Sequence, residues 1–160
     1  MLRLAIGWSA LHPIGWVGAI APRRSPVGAL PVADLDELAA LPAGRPALLA
    51  VDDAECVDDA DGRLSALATS GRVCIVAAGR PDALRQLYGH WTGIVRRSRS
   101  GLIATGGGEL DGDLLGVVLP RRTPVAPRPG LMWVVDGGRA DLVQVATDEA
   151  HASSTRLATR

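Results

Sequence analysis

Two adjacent carboxylates, Asp52 and Asp53, directly follow the uninterrupted apolar run of residues 47–51. In nucleotide-hydrolysing folds, an aspartate at the end of a buried strand holds Mg²⁺ through water, and a neighbouring acid positions the attacking water. The same pattern is typical of acids that cap a turn or helix after an ordinary strand. Glu55 and the acids of residues 58–61 add negative charge that is costly without a cation or a basic partner, which adds weight to the first interpretation.

The phosphate-binding half of such a site is missing from this sequence. The chain contains no lysine, so a loop of the form Gly-x-x-x-x-Gly-Lys-Ser/Thr cannot occur. The glycine triplet at residues 106–108 is followed by Glu109 and lacks the positive side chain, which favours a plain loop. Because the loop amides and the lysine stabilise the transferred phosphoryl group, we expect the chain not to hydrolyse ATP by itself.

Lysine is absent, so arginine supplies the basic charge, and the clusters at residues 96–99 and 121–122 are the candidates for phosphate contact. Arginines of this kind contact the nucleotide of a neighbouring subunit or hold a nucleic-acid backbone. Ion pairing with the acids of residues 52–61 is an equally weighted alternative. The formal net charge of zero gives no attraction of the whole chain to nucleic acid or to acidic membranes, so any such contact is local.

Other reactive side chains have simpler interpretations. A core tryptophan beside a hydrogen-bonded histidine is the favoured interpretation of His90 and Trp91, because no nucleophile accompanies them. Cys56 and Cys74 do not have a metal-ligand spacing and are too few for a disulfide scaffold, so we expect reduced, buried thiols. No apolar run approaches the roughly 20 residues that span a bilayer, and residues 1–20 resemble a signal peptide only weakly. These features predict an intracellular protein without a membrane segment.

Apolar runs separated by glycine and proline predict alternating strands and helices. We expect buried strands at residues 16–20, 47–51 and 73–78, a short strand at 101–104, and helices over 2–11, 34–41, 58–71 and 81–88. A hairpin joins residues 131–135 to 142–146 through the turn 136–139. This order predicts an α/β layered sheet with a C-terminal β-hairpin, and 160 residues suit one domain.

Eight segments in series resemble the FtsK/SpoIIIE family, most closely its actinobacterial members, which include the ATPase modules of type VII secretion motors. The segments are Ala21–Pro26, Val51–Glu55, Ala78–Asp82, Tyr88–Thr92, Arg96–Gly101, Asp111–Gly116, Leu119–Arg122 and Val143–Ala146. Each is weak alone, but their order makes chance similarity a poor explanation.

The resemblance implies a RecA-like P-loop NTPase fold whose sheet has the spatial order five, one, four, three, two. Residues 16–20, 47–51, 73–78 and 101–104 would then be strands two, three, four and five. Strand one and the Walker A loop are missing, and residues 2–11 resemble the end of the helix after that loop, so we expect an N-terminal truncation. Residues 1–146 would form a partial ATPase domain of marginal stability, because strands four and five lose their neighbour, and residues 147–160 a disordered tail.

The same resemblance implies roles for individual residues. Asp52 matches the Mg²⁺-binding acid, and Asp53 matches the catalytic-acid position, where many active members have the longer glutamate. Arg80 follows strand four, where such folds place a group that senses the γ-phosphate of ATP. Arg97 and Arg99 are candidates for contacts across a subunit interface. ATP and Mg²⁺ are the implied cofactors, with weak or absent binding in this chain.

The leading hypothesis is therefore a truncated or degenerate ATPase module of a motor that translocates DNA or secreted protein. We expect it to join a homo- or hetero-oligomeric ATPase ring in the cytoplasm, reaching the inner face of the membrane only through partners. The alternative is a non-enzymatic docking module for a hexameric translocase or a secretion substrate. A third hypothesis is that Met1 lies inside a longer gene that encodes the phosphate loop upstream.

Overall fold

The computed structural model describes residues 11–12, 15–105, 108, 110–126 and 128–145. These residues fall into two compact units, and the chain passes from the first to the second between Ser98 and Arg99. Apart from Leu11, the helix predicted over residues 2–11 lies outside the described residues, as does the tail predicted over 147–160. The single domain predicted over residues 1–146 stays a prediction, and each unit is described by itself below.

The first unit is built on a parallel sheet with the strand order β1-β2-β3. Its strands are β1 (Trp16–Ile20), β2 (Ala47–Val51) and β3 (Cys74–Ala77), which confirms the three predicted strands with small shifts at the ends of the third. All five residues of β2 are buried, as expected for a central strand covered on both faces. The register aligns Gly18 with Leu49 and Leu49 with Ile75.

Between residues 15 and 98, four α-helices accompany this sheet: α1 (Leu35–Ala40), α2 (Arg63–Ser70), α3 (Pro81–Gln86) and α4 (Thr92–Arg96). Short 3₁₀ helices follow β1 at Pro26–Ala29 and β2 at Ala54–Cys56. The first three α-helices were predicted, and α4 was not. Buried apolar side chains from α1, β2 and α2 pack with Trp91 into one core, which includes Leu38, Leu49 and Leu64.

Local hydrogen bonds explain where these helices begin and end. The Asp34 carboxylate accepts the amides of Asp36 and Glu37 and so caps α1. The second helix ends at Gly71, whose φ of 66° is the left-handed conformation that glycine adopts without strain.

The second unit is an antiparallel sheet with the order β4-β5-β6. Its strands are β4 (Gly101–Ala104), β5 (Leu131–Asp136) and β6 (Arg139–Gln144), and a 3₁₀ helix spans Asp111–Leu115. The predicted hairpin is confirmed, and both turn residues, Gly137 and Gly138, have positive φ. Ile103 pairs with Trp133 and Trp133 with Leu142, and this face packs on Val117 and Leu119.

The prediction that residues 101–104 form strand five of the first sheet is wrong. Those residues are β4, which pairs antiparallel with β5. The reason is that Ile103 lies opposite Trp133 in the apolar core of the second unit, so its burial is satisfied there. The coarse expectation of an α/β protein with a C-terminal hairpin is confirmed.

The two edges of the parallel sheet differ. Outside β1, residues 31–33 continue the ladder: the Ala19 amide donates to Pro31, and the Ala33 amide donates to Ala19. Outside β3, no described strand pairs. Within the described residues, β3 is therefore an open edge of the parallel sheet.

Candidate functional site

The carboxyl ends of the three parallel strands meet at one edge of the first unit, where α/β sheets place their ligands. Backbone hydrogen bonds join the three loops at this edge. The Asp52 amide donates to Ile20 over 3.0 Å, and the Ala54 amide donates to Ala78 over 2.8 Å. The edge is therefore a connected surface on which Asp52, Asp53 and Arg80 lie in neighbouring loops.

The half-buried Asp52 carboxylate is oriented by Ser25, a residue that sequence reasoning did not assign to the site. Ser25 Oγ donates to Asp52 Oδ2 over 2.5 Å and accepts the amide of Val27 over 3.1 Å. Ser25 thus caps the 3₁₀ helix at Pro26–Ala29 and fixes one oxygen of Asp52 at the same time. The serine stands in the Ala21–Pro26 segment, so its position was visible in the sequence although its partner was not.

Asp53 has a special backbone conformation at this edge. Its φ of 49° and ψ of 46° are left-handed, and Asp is among the few residues that adopt this region readily. It precedes the 3₁₀ helix at Ala54–Cys56, but its side chain makes no capping hydrogen bond and is exposed to solvent. This left-handed residue links the end of β2 directly to the 3₁₀ helix at Ala54–Cys56.

Glu55 and Arg80 form an ion pair across the ends of β2 and β3. Glu55 Oε1 accepts from Arg80 Nε over 2.8 Å and from the Arg80 amide over 3.3 Å. Glu55 Oε2 is buried and has no hydrogen-bond partner among the described residues. Burial raises the pKa of Glu55, but the hydrogen bonds and charge of Arg80 outweigh burial, so the pKa lies below its ordinary value.

Gly79 makes room for this carboxylate. A Cβ at position 79 would lie 2.5 Å from Glu55 Oε2 and 3.2 Å from Leu84 Cδ1. The sequence signal for this arrangement was the surplus of acids after β2, which needed a basic partner. In that acidic stretch, Glu55 pairs with Arg80 and Asp61 pairs with Arg63.

Arg97 and Arg99 belong to different units of the structure. Arg97 is an exposed residue in the turn that ends α4. Arg99 belongs to the second unit, where its φ is 51° and its Nη2 donates to the Gly116 carbonyl over 2.8 Å. Arg99 Nη2 also lies close to the β5–β6 turn, because a Cβ added at Gly138 would be 3.0 Å from it. Their role across a subunit interface stays a prediction.

The interpretation of His90 and Trp91 as structural residues is confirmed. Trp91 is 1% exposed, and its Nε1 donates to the Val57 carbonyl over 2.9 Å. His90 Nε2 lies 3.0 Å from the same carbonyl, and its Nδ1 lies 2.9 Å from Thr92 Oγ1. In contrast, the expectation that both cysteines are buried is wrong, because Cys56 and Cys74 are exposed free thiols.

Asp52 and Asp53 are the two acids at this edge that could hold Mg²⁺. Within the part of the chain that the structure describes, no three His, Cys, Asp or Glu side chains come close enough to hold a metal ion. Mg²⁺ commonly binds one or two carboxylates and completes its shell with water and substrate phosphates, which Asp52 and Asp53 suit. For ATP, Arg80 follows β3 at this edge, but its guanidinium is already paired with Glu55. The exposed Arg23 and Arg24 lie in the loop after β1.

None of the described helices combines the length and the apolar character needed to cross a membrane. No protein-family model matches the chain, and no curated protein or solved structure is significantly similar to it. The function is therefore inferred from the residues and the geometry of the site.

Proposed function

We propose that this chain is a degenerate ATPase module of the FtsK/SpoIIIE type, part of a motor that translocates DNA or protein. The observation that carries this proposal is the Asp52–Asp53 pair at the end of the central parallel strand, with Arg80 after the neighbouring strand. The order β1-β2-β3 agrees with the order of strands two, three and four in a RecA-like sheet. The RecA-like fold is itself part of the proposal.

The proposed module does not turn over ATP alone. The sequence has no lysine for the β- and γ-phosphates. Asp53 is one methylene shorter than glutamate, and Arg80 is held by Glu55 instead of by a phosphate. In an oligomeric ring in the cytoplasm, which meets the membrane through its partners, the module would depend on other subunits for hydrolysis.

The test measures Mg²⁺-dependent binding of a fluorescent ATP analogue, together with ATP turnover, on the purified chain. We expect no turnover and weak binding that Asp52→Asn abolishes. Asp58→Asn is the matched control, because Asp58 is an exposed acid that follows the same strand. Turnover that Asp52→Ala abolishes would contradict the proposed inactivity. Binding that is insensitive to Asp52→Asn would contradict the proposed site.

A docking module for a hexameric translocase is the second candidate, and the open edge of β3 favours it. An unpaired strand edge offers amide and carbonyl groups to an extended segment of another chain. Cys74 is the exposed first residue of β3, and a lysine at an edge opposes such pairing. In the native host, Cys74→Lys should therefore reduce co-purification of the translocase with the tagged chain while Asp52→Asn leaves it unchanged. The opposite result would favour the nucleotide site.

A further inference from the structure

The second unit contains a cavity of about 400 Å³ that is separate from the acidic edge described above. Small-molecule sites begin at about 300 Å³, so the cavity has room for a compact ligand. One side is formed by Ile103, Leu119 and Trp133, which belong to the buried apolar cluster of this unit. The cavity thus has an apolar wall that is held in place by the packed core.

Two consecutive arginines give the cavity its exposed charge. Arg121 and Arg122 both line it and both are exposed to solvent. Asp111 also lines it, but this carboxylate is only 5% exposed, and its Oδ2 accepts the Gly108 amide over 2.8 Å. Because Arg122 is exposed and Asp111 is buried, an incoming ligand meets the positive charge of Arg122.

Two threonine hydroxyl groups that line the cavity already donate hydrogen bonds within the protein. Thr105 Oγ1 donates to the Leu131 carbonyl over 2.9 Å, and Thr123 Oγ1 donates to the Val125 carbonyl over 2.7 Å. Both hydroxyl protons are therefore engaged within the protein. The Arg122 guanidinium is therefore the side-chain donor that we assign to a ligand, and its planar fork suits an oxyanion.

We propose that this cavity binds a small organic anion with an apolar body and a carboxylate or phosphate head. The body lies against Ile103, Leu119 and Trp133, and the head contacts Arg122. This site does not depend on the proposed ATPase relationship, because it uses none of the residues at the acidic edge.

Four probes separate the parts of this recognition when they are titrated into the ¹⁵N-labelled full chain. The probes are 2-naphthoate, 1-naphthyl phosphate, neutral 2-naphthamide and inorganic phosphate. We expect the two naphthyl anions to shift the Trp133 indole resonance, while those of Trp16 and Trp91 stay in place. The tighter of the two anions identifies a carboxylate or a phosphate as the preferred head.

Arg122→Gln tests the contact with the head. Loss of one charged hydrogen bond should weaken the naphthyl anions about tenfold and leave the weak binding of 2-naphthamide unchanged. Arg139→Gln is the matched control: Arg139 is an exposed arginine of the same unit that is paired with Asp141 and does not line the cavity. Both substitutions are at exposed positions, and circular dichroism spectra would check that both variants keep the fold.

Three results would overturn the proposal. The first is equal binding of 2-naphthamide and 2-naphthoate, which would remove the role of charge. The second is an equal effect of Arg122→Gln and Arg139→Gln, which would show that the net charge of the unit, and not a contact with Arg122, attracts the anion. The third is inorganic phosphate binding as tightly as 1-naphthyl phosphate, which would remove the role of the apolar wall.

Discussion

Glu55 and Arg80 are joined by a 2.8 Å contact between a carboxylate that is 4% exposed and a guanidinium that is 71% exposed. The pair connects the loop after β2 to the loop after β3 across 25 positions of the sequence. A buried carboxylate with one unpartnered oxygen is stable only while its other oxygen keeps its charged partner. The carboxyl edge of the sheet is thus organised around Glu55 as well as around Asp52.

Acid should weaken the first unit through Glu55. Because the folded-state pKa of Glu55 is lowered, its contribution to stability is complete above its ordinary value of 4.5 and is lost as the pH falls through the folded-state pKa. Glu55→Gln should lower the free energy of unfolding at pH 7 and flatten its decline below pH 4.5. Urea unfolding across this pH range measures both effects, with Glu37→Gln as the control for loss of one charge. An unchanged acid limb in Glu55→Gln would contradict this assignment.

Gly79→Ala should destabilise the first unit by about 1–3 kcal/mol, which is typical of overpacking. The added methyl group would displace Glu55 Oε2 and disturb the contact with Arg80. Gly93→Ala is the control, because its Cβ would meet only Arg96 Nη2, at 3.9 Å, inside α4. In a Glu55→Ala background the cost of Gly79→Ala should shrink. A cost that stays the same would show that Glu55 is not the obstacle.

Asp59→Asn should cost about 0.5–2 kcal/mol, as for the loss of a helix cap. The Asp59 carboxylate accepts the Leu64 and Ser65 amides and the Ser65 hydroxyl at the start of α2. Burial raises its pKa, but these hydrogen bonds, led by the Ser65 side chain, bring the pKa below its ordinary value.

Thermal unfolding near neutral pH measures this cost. Asp58→Asn removes the same charge but keeps the Oδ1 acceptor for the Asp59 amide, and is therefore the matched control. Equal losses in the two variants would indicate general electrostatics instead of capping.

Trp91→Phe should destabilise the first unit by about 2–4 kcal/mol, because it removes a buried hydrogen bond and leaves a cavity. Trp91 is 1% exposed and donates to the Val57 carbonyl. Trp16→Phe, at a half-buried position, should cost less. Urea midpoints of the two variants give the comparison, and the reverse order would contradict the central place of Trp91 in the core.

The central elements of both units could be predicted from local sequence because their signals are local. The apolar run that forms β2 requires burial on both faces, and the Gly137–Gly138 pair supplies the positive φ that the hairpin needs. Helix α4 was missed because Gly93, Ile94 and Val95 have poor helix propensity, and the contacts of Trp91 override it.

Pairing between distant segments could not be predicted in the same way. A four-residue apolar run at residues 101–104 indicates a strand but does not identify its partner, which is set by Ile103 meeting Trp133. The position of Asp52 directly after β2 was predicted, but its partner Ser25 is 27 positions away. Such contacts depend on tertiary packing, which residue spacing alone does not encode.

The brevity of β3 has a consequence for self-association. An open edge invites uncontrolled strand addition and aggregation, and short edges bounded by charge resist it. Only four residues form β3, and the exposed Arg72 and Arg80 stand on either side of it. An indiscriminate strand therefore gains few backbone hydrogen bonds there, and it meets the guanidinium of Arg72 at one end and the Arg80–Glu55 ion pair at the other. The shortness of β3 thus limits how much an added strand could gain at this edge.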